Sequence, residues 1–247
     1  MMRTQNHNTD KNSLIAALKV VGNIRTIYDC GSRDALDGIE LYRLMNAKQL
    51  HVFECNPPSI KKCRLNLEAH LGKSEENRSW FLCQSALNDE IGTIKFNQID
   101  TEKTVTPHLD GNPGASSILV ANKKYTKETY VQKQIEVNAT TLNSYSAGKN
   151  TPDCLWLDLQ GVELKVLKAA NDFLVNVKLI HLEVGFRKMY DDQCLYWELN
   201  EFLVENSFEL FDMSIGRWPN FLSLYKLIGT GPWVGNAVYI NKRFVCK

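Results

Sequence analysis

The sequence has 247 residues, of which 44% are hydrophobic, so it can bury one large core and predicts a single domain over residues 1–247. Its 29 basic and 28 acidic residues give a net charge of +1, and this balance argues against nucleic acid or an anionic membrane surface as a partner. No stretch approaches the ~20 apolar residues of a membrane span, and residues 1–12 lack the apolar core of a secretory signal. We therefore expect a soluble, cytoplasmic protein.

Strand-like and helix-like patterns alternate along the chain, which is typical of α/β proteins. Residues 1–22 form an N-terminal extension whose helical pattern covers residues 13–21. The predicted strands cover residues 25–30, 50–54, 80–83, 92–96, 134–137, 154–158, 177–184, 208–211 and 234–241. The predicted helices cover residues 37–45, 59–71 with Ser59 as the cap, 162–170 and 193–206.

The segment 97–133 interrupts this alternation. It is polar and contains two prolines and two glycines, Pro107, Gly111, Pro113 and Gly114. Such a composition predicts an excursion from the sheet, and insertions of this length commonly have a task such as covering a pocket. Its lysines, Lys123, Lys124 and Lys127, are expected to form a solvated face.

The seven cysteines are odd in number and include no Cys-x-x-Cys pair. Several lie inside predicted buried strands, so we expect small core residues in a reducing compartment. Their positions are 30, 55, 63, 83, 154, 194 and 246.

Three apolar stretches, at residues 26–31, 50–54 and 155–161, end in an acid or a glycine turn. Open parallel sheets bind ligands at the carboxyl ends of their strands, so these acids are candidate ligand contacts. Asp29 and Glu54 are about 25 residues apart, a spacing that suggests a cofactor containing a nucleoside. The turn after the first strand has one glycine, Gly31, where a dinucleotide fingerprint has three. Taken alone, this turn is typical of an ordinary strand-to-helix connection; taken together with Glu54 at the end of the second strand, it favours a cofactor without a pyrophosphate.

Five segments in order resemble the FkbM-like family of class I S-adenosylmethionine-dependent methyltransferases. The most specific is residues 155–170, which is similar to the family's "lKiDvqGaElevLkGa". The others are residues 53–57, 85–89, 139–145 and 181–184, and together they cover about residues 24–184. Two departures stand out. Asp29-Cys30-Gly31-Ser32-Arg33-Asp34-Ala35 replaces the family's D-x-G-A-N-x-G, and Cys55 replaces the proline after the acid of the second strand.

The resemblance implies a doubly wound, mostly parallel, seven-stranded type of sheet, that of the Rossmann-like methyltransferases, with an antiparallel strand near its C-terminal edge. It implies S-adenosylmethionine as the cofactor, with Glu54 binding the ribose hydroxyls, Ser85 and Ala86 bounding the adenine, and Arg33 adding a cation near the sulfonium. The implied cofactor-binding residues are Asp29, Gly31, Ser32, Arg33, Glu54, Cys55, Asn56, Ser85, Ala86, Asp158 and Gln160.

Methyl transfer to oxygen needs alignment of the acceptor with the sulfonium and a base that removes the acceptor's proton. The candidates for the base are Asp158, Glu183 and His181. Each has a structural alternative: Asp158 as a helix cap, Glu183 as a ligand of loop amides, His181 as an interior histidine. Glu163, in the first turn of a helix, is expected to offset the helix dipole. We expect no metal, because the chain offers too few convergent acids.

The expected acceptor is a hydroxyl of a carbohydrate or related small metabolite. A late aromatic set, Trp218, Phe221, Tyr225 and Trp233, either lines an acceptor pocket or packs a hairpin. Two other functions stay open: a non-catalytic module that keeps the fold, suggested by Arg33 and Ala35, and an enzyme with another nucleotide cofactor such as NAD. The sequence leaves the oligomeric state undetermined.

Overall fold

The computed structural model describes residues 3–73, 79–149, 151–215 and 232–245. Its strands, in chain order, are β1 (Thr26–Cys30), β2 (Gln49–Phe53), β3 (Trp80–Cys83), β4 (Ala86–Leu87), β5 (Gly92–Ile99), β6 (Gln132–Thr140), β7 (Cys154–Leu157), β8 (Leu179–Gly185), β9 (Phe208–Ile215) and β10 (Val234–Asn241). Its helices are α1 (Arg3–Val21), α2 (Leu36–Leu44), α3 (Pro57–Leu71), α4 (Leu142–Ser146), α5 (Glu163–Lys168), α6 (Asn171–Leu174) and α7 (Tyr196–Glu205).

Seven strands form one sheet in the order β3-β2-β1-β7-β8-β10-β9. The pairs among β3, β2, β1, β7 and β8 are parallel, whereas β10 runs antiparallel to both of its neighbours. This arrangement confirms the predicted fold class, including the antiparallel strand near the C-terminal edge. It also places β1 between β2 and β7, so the loops that follow these three strands meet at one end of the sheet.

Both faces of the sheet are buried, as the continuous apolar strands predict. One cluster joins the sheet to α1, α2 and α3, and the other joins it to α5, α6 and α7. Strand β1 is buried along its whole length, and its alternate residues enter opposite clusters. The described cysteines are all free, and four of them are buried: Cys30, Cys55, Cys63 and Cys154.

Four helix boundaries differ from the prediction by two residues or more. Helix α1 begins at Arg3 rather than at residue 13. The prediction missed this start because the polar residues before Ser13 show no apolar periodicity. Helix α3 begins at Pro57, since a proline in the first turn loses no hydrogen bond, so Ser59 lies inside the helix instead of capping it. The predicted helix over residues 162–170 is the shorter α5, which ends at Lys168 and is followed by the separate α6, and α7 begins at Tyr196 rather than at residue 193.

The predicted insertion borders a second, three-stranded sheet of order β4-β6-β5. Strands β5 and β6 pair antiparallel from Gly92–Ala139 to Ile99–Gln132, so both ends of the segment 97–133 belong to strands. The excursion itself is residues 100–131. None of the described helices is long and apolar enough to cross a bilayer. Trp218, Phe221 and Tyr225 of the late aromatic set, and Cys246, lie outside the described residues.

Candidate active site

A pocket of about 530 Å³, part of it open to solvent, lies at the carboxyl ends of β1, β2 and β7. Of the predicted cofactor-binding residues, all except Asp29 and Ser32 line it. The sequence reasoning missed its apolar wall, which comes from β2, β4, β5 and the insertion: Phe53, Leu87, Phe96, Pro113 and Ile118. No periodicity marks the insertion residues, so no sequence signal identifies them before the fold is known.

Glu54, directly after β2, is 9% exposed and lines the pocket. Its Oε2 accepts the backbone N–H of Arg33 at 2.8 Å, and its Oε1 accepts that of Asn56 at 2.7 Å. Burial raises the pKa of Glu54, and these backbone hydrogen bonds oppose the rise. Because an ionised carboxylate offers about four acceptor positions, two backbone bonds fix its orientation and leave others for a ligand.

The loop after β1 is attached to its neighbours on both sides. The N–H groups of Gly31 and Ser32 donate to the Phe53 carbonyl at 3.0 and 3.1 Å. Gly31 has φ +83°, and a Cβ there would collide with the backbone carbonyl of Asp158. A glycine is therefore required at this position by the backbone conformation and by the space.

Arg33 points from the same loop toward the insertion. Its guanidinium forms an ion pair with Asp110, whose side chain is 40% exposed. Burial raises the pKa of Asp110, but the hydrogen bond and charge of Arg33 outweigh it and lower that pKa. The Arg33 side chain also packs against Gly114. The cation predicted near the sulfonium is thus balanced by an acid of the insertion.

The insertion is also tied to Asn56, the residue at the start of α3. Asn56 Nδ2 donates to Ser116 Oγ at 3.4 Å, and Gln98 Nε2 donates to Asn56 Oδ1 at 2.6 Å. Gly114 and Ser116 line the pocket. One wall of the pocket is therefore built by a segment that is remote from the strand ends in sequence.

Asp29 lies behind the loop, not in the pocket. Its Oδ2 accepts the Ser32 hydroxyl, its Oδ1 has no hydrogen-bond partner among the described residues, and the side chain packs so closely on Gly38 that a Cβ there would collide with it. Burial raises the pKa of Asp29 to about 8, against the lowering effect of the Ser32 bond. Asp29 and Ser32 stay predicted cofactor-binding residues, but here they contact each other, and Asp29 also packs on Gly38 of α2.

Asp29→Asn is expected to reduce the dependence of stability on pH. Between an ordinary aspartate pKa near 3.8 and about 8, the folded chain keeps a proton that the unfolded chain has lost, so stability falls as pH rises. The variant retains an acceptor for Ser32 and has no carboxyl group to titrate. As pH rises across this window, its stability relative to the wild type should therefore increase by up to about 1.4 kcal/mol per pH unit. Urea unfolding at pH 5 and pH 8 measures the difference; parallel pH curves for the two proteins would contradict the assignment.

Asp158, Gln160 and Glu183 form a polar cluster at the ends of β7 and β8. Gln160 Nε2 donates to Asp158 Oδ1 and, at 3.3 Å, to Glu183 Oε2. Burial is the main cause that raises the pKa of Asp158 to about 7, and the charge of Glu163 adds to it. Burial is also the main cause that raises the pKa of Glu183 well above its usual range, and the charge of Asp158 adds to it. Asp158 lines the pocket, whereas Glu183 is not one of its lining residues.

Two neighbouring titratable residues have structural contacts. His181 is 2% exposed and stacks on Trp156 with ring centroids 3.6 Å apart, and it does not line the pocket. Glu163 accepts the N–H of Leu159 at 2.8 Å and that of Gly161 at 3.1 Å, so it fixes the turn after β7. His181 stays a predicted catalytic residue, whereas Glu163 binds loop amides in addition to its place in the first turn of α5. The described residues contain no group of three or more His, Cys, Asp or Glu side chains arranged to hold a metal ion.

The sheet order, and the pocket with Glu54 and Asp158 at the carboxyl ends of the strands, are those of the Rossmann-like methyltransferase fold. The sequence pattern of the Methyltransferase FkbM domain matches residues 29–223, and the chain belongs to this family. The 2-O-methyltransferase NoeI of Sinorhizobium fredii is 26% identical over 172 residues, which are 68% of this chain and 66% of NoeI.

Solved structures share the fold. The methyltransferase FkbM from Methylobacillus flagellatus has a TM-score of 0.52 at 8% identity, over 88% of this chain and 43% of that one. Magnesium protoporphyrin IX methyltransferase (ChlM) from Synechocystis, solved with bound S-adenosylmethionine, has a TM-score of 0.50 at 8% identity, over 96% of this chain and 80% of that one. The chain thus spans just under two thirds of NoeI and less than half of the M. flagellatus protein.

Proposed function

We propose that residues 1–247 form one domain that transfers a methyl group from S-adenosylmethionine to a hydroxyl of a carbohydrate or related small metabolite. The observation that carries this proposal is Glu54. Its carboxylate is fixed by two backbone N–H groups at the tip of β2 and faces the pocket with acceptor positions to spare. A pair of adjacent ribose hydroxyls is a ligand that suits such a carboxylate.

The remainder of the pocket suits the other parts of the cofactor. Leu87, Phe96 and Ile118 offer apolar surface to a purine, next to the predicted adenine contacts Ser85 and Ala86. Arg33 offers a guanidinium to a carboxylate. When bound, S-adenosylmethionine supplies an electrophilic methyl group on a positively charged sulfur. The residues present therefore fit a nucleoside with an amino-acid tail.

Asp158 and Glu183 are the residues that we assign to proton removal from the acceptor. Asp158 lines the pocket, and its pKa, raised by burial to about 7, lies in the working range of a general base; burial and the charge of Asp158 also raise the pKa of Glu183. Alignment of acceptor and methyl group accounts for the rest of the rate, so few residues need a chemical role. The name of the S. fredii relative specifies methylation at oxygen, which supports an oxygen acceptor.

Calorimetric titration with S-adenosylmethionine, S-adenosylhomocysteine and NAD tests the cofactor. We expect binding of the first two and none of NAD, because the β1 loop lacks the glycines that approach a pyrophosphate. Binding of NAD alone would overturn the proposal in favour of another nucleotide enzyme. Turnover is expected to be unaffected by EDTA; loss with EDTA and recovery with Mg²⁺ would reassign the acids as metal ligands.

A second candidate is a non-catalytic module, which the β1 loop itself suggests. Arg33 and Ala35 have φ +58° and +65° where the family pattern has Asn and Gly, residue types that suit this conformation better. The described loop nonetheless presents Gly31 and Arg33 to the pocket together with Glu54. We therefore keep catalysis as the main proposal.

Arg33→Asn, which restores the family's residue type, separates these two functions. Because the Arg33 guanidinium is already paired with Asp110 and this pair is partly exposed, any contact it makes with the cofactor carboxylate is screened, and its loss should change S-adenosylhomocysteine affinity by no more than about fivefold, the scale of 1 kcal/mol. Calorimetry on the variant and the wild type measures this. If the wild type shows no binding and the variant does, the non-catalytic module is the better description.

A further inference from the structure

Gln160 joins two carboxyl groups that come from different strands. It follows β7 in a turn with φ +54°, a left-handed conformation that is uncommon for a residue with a side chain. From there its Nε2 donates to Asp158 Oδ1 and, at 3.3 Å, to Glu183 Oε2. One amide group thus reaches both acids assigned above to proton removal.

The opposite side of the Gln160 amide is fixed by the insertion and by the segment after β8. The Tyr190 hydroxyl, which is fully buried, lies 2.8 Å from Gln160 Oε1 and 2.8 Å from the Ala115 carbonyl. Ser117 Oγ donates to the Gln160 carbonyl at 2.8 Å, which holds the backbone in its unusual turn. With the amide oxygen facing the tyrosine hydroxyl, the amide nitrogen faces the carboxyl groups.

The consequence concerns the protonation of the pair. Two half-buried carboxyl groups that accept from the same amide nitrogen repel each other when both are charged, and a proton shared between them relieves this repulsion. The amide donates hydrogen bonds that favour the charged form and cannot itself accept the proton. Other charged groups act on the pair as well. Asp158 is affected by the charges of Glu163 in α5, Asp37 in α2 and Arg33 in the β1 loop, and Glu183 is affected by the charge of Glu163. The hydroxyls near Glu183 belong to Tyr125, Tyr130 and Tyr190.

One charge and one hydrogen bond distinguish the protonation of Asp158 from that of Glu183. The positive charge of Arg33 favours the ionised form of Asp158, and the Gln160 amide nitrogen lies closer to Asp158 than to Glu183. We propose that Gln160 is the positioning residue of the pair: its amide holds Asp158 ionised toward the pocket and leaves the shared proton on Glu183. This inference rests on the methyltransferase function proposed above.

The test is a pH titration of the side-chain carboxyl ¹³C signals of the full chain, with the signals of the two acids assigned by Asp158→Asn and Glu183→Gln. In Gln160→Met, which keeps the size of the side chain and removes its amide, the midpoint of Asp158 should rise by about one pH unit, since one hydrogen bond to a charged group is lost. In Tyr190→Phe, which leaves Gln160 in place and removes its outer partner, the midpoint should rise in the same direction by less.

Gln132→Met is the matched control. Gln132 also uses both ends of its amide, accepting the N–H of Ala121 at 2.8 Å and donating to the Leu119 carbonyl at 3.4 Å, but it does not contact the acids. Its variant should leave the Asp158 midpoint unchanged. An unchanged midpoint in Gln160→Met and Tyr190→Phe overturns the inference, and if Gln160→Met does not fold, Tyr190→Phe decides alone.

Calorimetry with S-adenosylhomocysteine on the same proteins separates this inference from the proposed function. Binding to the wild type together with an unmoved Asp158 midpoint refutes the role of Gln160 only. Absence of binding to the wild type, with the midpoint shifted as expected, refutes the methyltransferase assignment and leaves the contact between Gln160 and the acids as a structural one.

Discussion

Asp158→Asn and Glu183→Gln are each expected to lower methyl-transfer turnover by about 10²- to 10⁴-fold. Both changes keep the size of the side chain and part of its hydrogen bonding. Asp158→Asn removes the carboxylate that takes the proton from an acceptor hydroxyl, and Glu183→Gln removes the carboxyl group with which Asp158 shares its proton. Asp158, which lines the pocket, should show the larger loss. Affinity for S-adenosylhomocysteine should change little, because neither variant removes Glu54 or the apolar wall.

The measurement requires a methyl acceptor, with slow background hydrolysis of S-adenosylmethionine as the surrogate until one is found. Glu201→Gln, on the exposed side of α7, is the matched acid-to-amide control and should keep full turnover. If Asp158→Asn and Glu183→Gln keep full turnover and lose thermal stability, the acids are structural ligands of the surrounding loops. The base must then lie elsewhere.

Glu54→Ala is expected to weaken S-adenosylhomocysteine binding by about 10- to 150-fold. This corresponds to ~1.5–3 kcal/mol, the scale of hydrogen bonds to a charged group. The alanine also leaves the N–H groups of Arg33 and Asn56 without their carboxylate, so some loss of thermal stability should accompany the effect. Calorimetry on the folded variant gives the affinity directly.

Glu68→Ala, at an exposed position of α3, is the control for removing a glutamate close by in sequence. Glu54→Gln should fall between the wild type and Glu54→Ala, because its amide keeps one acceptor oxygen and loses the charge. A Glu54→Ala protein that is folded and binds with wild-type affinity would falsify the ribose assignment, and with it the observation that carries the proposed function.

The sheet could be predicted because its strands are continuous apolar runs, which are uncommon outside doubly covered parallel sheets. The carboxyl-end position of Glu54 and Asp158 followed from the same reasoning. The direction of individual side chains did not follow. Asp29 packs on α2 although its place in the motif suggested the pocket, and His181 stacks on Trp156 although it shares a strand face with Glu183.

The wall built by the insertion could not be predicted for a different reason. Pro113, Ser116 and Ile118 reach the pocket through contacts between segments that are far apart in sequence, such as the bond between Ser117 and the Gln160 carbonyl. The ion pair between Arg33 and Asp110 is of the same kind. Local propensity and periodicity carry no information about such contacts, which only the assembled fold defines.

The close approach of Gly31 to the Asp158 carbonyl matters for anyone who would redesign this domain. The backbone of the loop after β1 rests on the backbone of the turn after β7, and the Asp158 N–H donates to the Cys30 carbonyl at 2.9 Å beside it. Neither segment can be transplanted from a relative without its counterpart. Residues 31–35 and 158–161 therefore behave as one structural unit, and a redesign of either loop has to replace both together.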